Sequence, residues 1–407
     1  MKLCIYEDDS YRNLLPLVWL RPVYFLKCGI TDLAEKIMSA FPGLKPVYHC
    51  RDYLADVVKE SSGIPINEIE ADSCLFVNGR VLFDPALSGI IDLSRADTAY
   101  CAGEEVVAVA LSPEKAASVT ENPGALLQFS GLVKELPVIQ VDATVVTYLW
   151  EVVSANAAQI EHDFSRLCPE PEIKSTLHDG VHLVNTEKIH IAENVSVMPG
   201  VVIDAESGPV LIDSGAKIMA NAVIEGPAYI GPRSVVKIGA KIYGGTAVGE
   251  VCKVGGEIES SIIHSFSNKQ HDGFLGHAYL GQWINLGADT NNSDLKNNYK
   301  SVRVSVGGRE IDTGRTFVGL FMGDHSKTGI NTMFPTGCVV GIHCNLFGGG
   351  FMRKNIPSYS WGGNDNMIEY DLEKALETAE IVMKRRNREL SDALQRLMRL
   401  SYDKTRD

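Results

Sequence analysis

The sequence predicts two units in tandem. An α/β domain comes first, followed by a left-handed parallel β-helix of hexapeptide repeats with a C-terminal helix. Three observations carry this reading. Of the 37 glycines, 29 fall between Gly180 and Gly363 and only eight precede that stretch. Before the boundary, short β-branched runs alternate with helical patterns, as in an α/β layer fold. Beyond it, β-branched apolar residues return every six positions, a period that neither a strand nor a helix produces.

In the first part, residues 1–145, strands are expected over 3–6, 47–50, 74–77, 106–111 and 138–141. Helices are expected to start at Thr31, with Asp32 in the first turn and Leu33, Ile37 and Phe41 on one face, and near Asp52. A linker helix within 146–175 places Leu149, Val153, Asn156, Ile160, Phe164 and Leu167 at helical spacing, and Pro169 and Pro171 stop it.

The repeat unit is expected over 176–365. Its ladder runs through Ile191, Val197 and Ile203, then Ile212, Ile218, Ile224, Ile230, Val236, Ile242, Val248 and Val254. Three short strands and three turns make one triangular coil, so each ladder residue stacks on the one a coil later. Burying each is worth roughly 1.5–3 kcal/mol, enough for the stack to sustain the domain. The period fails twice, over 255–279 and again over 289–304, and interruptions of a repeat array are where function is housed. It resumes at Met322, Thr328, Phe334, Val340 and Leu346. Residues 366–407 read as one helix carrying Ile368, Leu372, Leu376, Ala379, Met383, Leu390, Leu394 and Leu397 on a single stripe. Its Lys384-Arg385-Arg386 cluster, balanced by Glu373, Glu377, Glu380 and Glu389, reads as a solvated face.

Composition bounds the function. With 38 Lys+Arg against 51 Asp+Glu and a net charge of −13, wholesale nucleic-acid or anionic-membrane binding is excluded, while a local basic pocket for a phosphorylated small molecule stays open. No stretch reaches the roughly 20 apolar residues of a membrane helix, and the N-terminus turns acidic where a signal peptide needs an apolar run. The nine scattered cysteines, with no C-x-x-C pair, read as reduced thiols of a cytoplasmic protein, with neither disulfide framework nor zinc site.

The interruptions hold recognisable segments. Gln270-His271-Asp272-Gly273-Phe274-Leu275-Gly276 runs on to Asn285-Leu286-Gly287-Ala288-Asp289-Thr290, and Gly323-Asp324-His325-Ser326-Lys327-Thr328-Gly329-Ile330-Asn331 follows. Together they resemble the bifunctional sugar-1-phosphate nucleotidyltransferase/glucosamine-1-phosphate N-acetyltransferase (GlmU-like) family. The likeness is good over about 189–357 and weak in the N-terminal domain. It implies a homotrimer that transfers acetyl from acetyl-CoA to an amino-sugar 1-phosphate. His271 is then the general base that takes the ammonium proton, a task suited to imidazole near neutral pH; His277, six residues on, competes for the role. Asn285 matches a substrate-binding Asn, Ala288 a backbone contact to the CoA thioester, and Ile330 the adjoining cofactor region. Lys300 and Lys237 supply charge for the sugar phosphate. Phe274 and Asp294 replace a family Tyr and Asn, so the amino sugar need not be glucosamine.

The N-terminal likeness is to a diverged nucleotidyltransferase. No glycine precedes Gly29, so the glycine-rich phosphate loop of that fold is missing. Arg12 or Arg21 would have to meet phosphates, and Asn78 stands where relatives place a metal-binding Asp, so Mg²⁺ enters only if this domain is active. The rival readings are a nucleotidyltransferase whose β-helix only oligomerises, and a non-catalytic regulatory scaffold.

Overall fold

The computed structural model describes residues 1–69, 72–120 and 124–406. Strands β1 (Lys2–Tyr6), β2 (Lys45–His49), β3 (Cys74–Asn78), β4 (Val81–Leu82), β5 (Thr98–Ala102), β6 (Glu105–Leu111), β7 (Val138–Gln140) and β8 (Thr144–Val145) build the first domain. Its six-stranded sheet has the order β2-β1-β3-β6-β5-β7, with β1 parallel to both neighbours and β6 antiparallel to β3 and β5. Helices α1 (Leu33–Ala40), α2 (Ala55–Ser62), α3 (Pro85–Ile90) and α4 (Pro113–Val119) connect the strands. The expected strands are present within a few residues, and β5 is one the sequence pattern missed. Helix α1 starts one residue past Asp32, because Asp32 and Glu35 close a reciprocal capping box.

Helix α5 (Leu149–Leu167) joins the domains. Its Ile160 and Phe164 pack on Leu211, Tyr229 and Ala247 of the repeat unit. Its Asp163 accepts from Lys36 Nζ at 2.5 Å and from the backbone of Ile30 and Thr31. Lys36 and Asp163 are 1% and 0% exposed.

The repeat unit is a three-sided parallel solenoid. One face is a nine-stranded sheet from Ile189–Ile191 to Asn355–Ile356; the others begin at Ser196–Val197 and His182–Val184. The ladder stacks in the expected register: Ile212 on Ile230 and then Val248, Ile218 on Val236 and then Val254, Ile224 on Ile242. These side chains are fully buried in one continuous core.

Two expectations are corrected. Residues 255–279 are no excursion: short strands at Glu257–Glu259, Ile262–Ser265, Asn268–Lys269 and Phe274–Gly276 keep the three faces. The coils there are shortened, with Val248 stacking on Ile263 and Val254 on Lys269, so the six-residue count slips while the geometry persists. The real insertion lies farther on, where a hairpin of Arg303–Val306 and Arg309–Asp312 leaves the solenoid. The C-terminal segment is two helices, α6 (Leu372–Lys384) and α7 (Asp392–Lys404). Asn387 turns the chain at φ +55°, a region Asn tolerates, and Ser391 caps α7 by accepting from Leu394 N–H.

The first domain lies against the nine-stranded face. Ile262, Tyr279, Phe321 and Val339 join Leu14, Leu17, Tyr24 and Val302 in a shared core. Polar contacts cross the same boundary: Lys27 N–H donates to Tyr279 Oη at 2.9 Å, and His264 Nε2 lies 3.0 Å from Phe25 O.

Candidate active site

The site is built at a solenoid corner. After Phe274–Gly276 the chain turns through His277, at φ +46°, into Tyr279–Gln282. Asn292, from the polar stretch, bridges to this turn, accepting from Gly276 N–H and donating to Gly276 O. Two residues later Asp294 Oδ2 lies 2.8 Å from His277 Nδ1. The ring is also stacked on Phe317 at 5.2 Å. A Cβ on residue 276 would sit 2.4 Å from that carboxylate oxygen, so the close approach requires glycine. The carboxylate acts on the ring as an orienter: with Nδ1–H donating to it, Nε2 is left as the proton acceptor. His277, Ser260, Arg315 and Phe317 line a cavity of about 460 Å³ under α5.

His271 lies elsewhere. It is exposed, and among the described residues its side chain makes no hydrogen bond. What is ordered there is its backbone. Lys269, buried where other coils place Ile or Val, donates from Nζ to His271 O at 2.5 Å and to Asp272 O and Gly255 O at 3.2 Å. Burial pushes the Lys269 ammonium down to about 8.

The other expected residues are dispersed over the solenoid. Asp294 is the partner of His277, a role the sequence did not suggest, and Phe274 is anchored beside them through its N–H to Asn291 Oδ1. Asn285 lies a strand away on another face, accepting from Asn268 Nδ2 at 3.3 Å. Ala288 and Ile330 share the next corner, tied by Asn331 N–H to Ala288 O at 2.8 Å, with Ile330 67% exposed. Lys300 is exposed in the insertion, and Lys237 is half-buried near Lys253. Sequence reasoning missed Arg315, the cation beside His277, because nothing in its spacing distinguishes it from a surface arginine.

In the first domain, the crevice at the C-terminal ends of parallel β1 and β3 is where such a fold receives a nucleotide. Here it is occupied by the chain's own ion pairs. Arg51 forks onto Glu7, at 2.7 Å from Nε and 3.0 Å from Nη2. Arg80 pairs with Asp8 at 2.7 Å and Glu105 at 2.8 Å. Asn78 donates to Asp8 at 2.8 Å, so the carboxylate closest to the expected metal position is already held by a guanidinium and an amide. These residues do not fit a Mg²⁺ ion, and among the described residues no group of three His, Cys, Asp or Glu is arranged to hold a metal. The expectation that Arg21 meets phosphate is corrected. It is buried and donates to Asp324 Oδ2 at 2.7 Å and Leu17 O at 3.0 Å, tying the two domains together. Arg12 is exposed near Asp9, at 3.8 Å.

Comparison with known proteins agrees with this division. Residues 3–170 match the family model described as sugar nucleotidyl transferase. The bifunctional sugar-1-phosphate nucleotidylyltransferase/acetyltransferase of Sulfurisphaera tokodaii is 31% identical over 41% of this chain and 40% of its own length. These similarities are to GlmU-like bifunctional proteins, each over only part of the chain. The bifunctional protein GlmU of Synechococcus elongatus is 27% identical over 53% of this chain and 49% of its own. That of Methanocaldococcus jannaschii is 33% identical over 25% of each. The chain thus spans half or less of the length of these relatives.

Proposed function

We propose that this GlmU-like chain is an N-acetyltransferase that moves acetyl from acetyl-CoA to the amine of an amino-sugar 1-phosphate, working as a cytoplasmic homotrimer. The observation that carries the reading is the His277–Asp294 pair at 2.8 Å on the wall of a cavity that also holds Arg315. The amine nitrogen attacks the thioester carbonyl, its proton passes to His277 Nε2, and the CoA thiolate leaves and is protonated. Arg315 takes the sugar phosphate. His277 serves as the base in preference to His271, which has no orienting partner. Acetyl-CoA supplies the activated acyl group, and the corner of Ala288 and Ile330 is an open turn suited to its apolar arm.

The same layout supports a trimer. His277 and Asn285 are separated within one chain by the strand Tyr279–Gln282, about 13 Å of extended backbone. A neighbouring copy brings the two halves together. One face is covered by α5 and the first domain and part of the second by α6, whereas the third exposes Val184, Val223 and Tyr243, with Ile238 at its edge. Closed cyclic symmetry is the ordinary way to cover such a face.

The first domain, with its crevice filled by Arg51 and Arg80, serves as a structural partner of the solenoid. The test is a panel of amino-sugar phosphates incubated with acetyl-CoA and followed by free-thiol release. Turnover of at least one amino-sugar 1-phosphate, and none of its unphosphorylated sugar, is expected. No thiol from any of them would sink the reading.

A further inference from the structure

The outward side chains of the second solenoid face form a column. Lys217 pairs in register with Val235, Val235 with Lys253, Lys253 with Asn268, Asn268 with Asn285, and Asn285 with Lys327. Helix α6 crosses this column and leaves a cavity of about 380 Å³ against it. Lys253 and Lys327 face the cavity from the solenoid, and Arg385 and Arg386 face it from the end of α6. No Asp or Glu among the described residues lines it. Among the described residues none of these four cations has an ion pair; Glu373 on the same helix is taken by Arg399. The solvated face that the sequence suggested holds for the exposed Lys384 and Arg385 and for the exposed Glu373, Glu377 and Glu380, whereas Arg386 is half-buried against the solenoid.

A helix C-terminus favours cations, which accounts for two arginines there. It does not account for two lysines opposing them across a cavity in a chain of net charge −13. Like charges brought together without a counter-charge repel, and the repulsion is felt: burial, then Arg386, Lys237 and Arg385, hold the Lys253 ammonium below its ordinary range. Lys327 is pushed down to about 8 by burial, and its one hydrogen bond, to His325 O at 2.8 Å, leaves donors to spare. Uncharged donors complete the lining. Arg386 Nη2 donates to Asn268 Oδ1 at 3.0 Å, and Asn268 in turn donates to Asn285, fixing the amides beside the cations.

We propose that the cavity between α6 and the solenoid is a diphosphate-binding site, taking a diphosphate ester whose charge the four cations neutralise. Two kinds of molecule carry that group, coenzyme A and a nucleotide sugar. The site rests on the charge of the cavity and not on acetyl transfer, so the two claims fail separately.

The test is calorimetric titration of the full chain at low salt with inorganic pyrophosphate as the probe, repeated with CoA and with a UDP-sugar. Pyrophosphate should bind, and Lys253→Ala and Arg385→Ala should each weaken it about tenfold or more, the worth of a charge-assisted contact. Lys217→Ala, two rungs back on the same column, should leave it unchanged. Pyrophosphate should also raise the wild-type melting temperature and fail to raise that of folded Arg385→Ala. Whichever of CoA and the UDP-sugar is weakened by the same variants is the source of the diphosphate. Absence of pyrophosphate binding, or an affinity indifferent to Lys253→Ala and Arg385→Ala, overturns the site; CoA binding elsewhere, with pyrophosphate unaffected by the variants, overturns it equally.

Discussion

The two halves of the molecule handle clustered positive charge in opposite ways. In the first domain, Arg21, Lys36, Arg51 and Arg80 are all inside, and each meets a carboxylate: Asp324, Asp163, Glu7 and Asp8. Against the solenoid, the half-buried Lys253, Lys327 and Arg386 and the exposed Arg385 converge with none among the described residues. Residue type and burial alone would rank the first set as the better phosphate site. The pairing reverses that order. A cation already satisfied by its own chain holds the fold, and a cation left unmatched is available to a ligand.

Breaking a satisfied pair should therefore cost the most stability. Lys36→Ala leaves the buried Asp163 carboxylate only the part-exposed Arg166, at 3.4 Å, as a counter-charge, and urea denaturation should show a loss of about 3–5 kcal/mol. Arg80→Ala should cost somewhat less, about 2–3 kcal/mol, because Asp8 and Glu105 reach solvent. Lys253→Ala, by contrast, should change stability by no more than about 0.5 kcal/mol, since it removes repulsion along with packing. Equal losses for Lys36→Ala and Lys253→Ala would erase the distinction.

A smaller effect concerns acid. His325 and His343 are stacked 4.7 Å apart at one solenoid corner, with Trp283 beyond one and Tyr359 beyond the other. Burial, then the nearby Lys327, pushes the His343 imidazole down to about 3. Unfolded, it protonates near 6.5. Between those values the unfolded chain binds a proton that the folded one refuses, so stability falls as pH drops from about 6.5 towards 3. His343→Phe keeps the stack and should flatten that decline in melting temperature. An unchanged slope would mean that other groups dominate it.

The fold was legible because its signals are repetitive: every ladder residue votes for the same six-residue period, and glycine density marks the boundary. The pattern misled where a coil was shortened. There a buried lysine, Lys269, takes a ladder place, and a sequence count reads its polar side chain as the start of a loop. The single C-terminal stripe failed for a related reason, since Leu390 and Leu394 continue the spacing by chance across the turn at Asn387. The site was half legible. The motif around Asn285 and Ala288 drew attention to the stretch of solenoid that also carries His277, but His271 and His277 look alike in sequence. Only the fold shows that Asp294, seventeen residues beyond His277, returns to its ring. Arg21 misled because its partner Asp324 is 303 residues away.

The central claim is that a carboxylate-oriented His277 removes the proton from the attacking amine. The direct measurement is kcat for acetyl transfer in His277→Ala, His271→Ala and Asp294→Asn, with acetyl-CoA binding followed separately. His277→Ala should lower kcat by about 10²–10⁴-fold with acetyl-CoA affinity nearly unchanged. Asp294→Asn should lower it by less, and His271→Ala should stay near wild type. A His271→Ala enzyme that loses activity while His277→Ala keeps it would contradict the account.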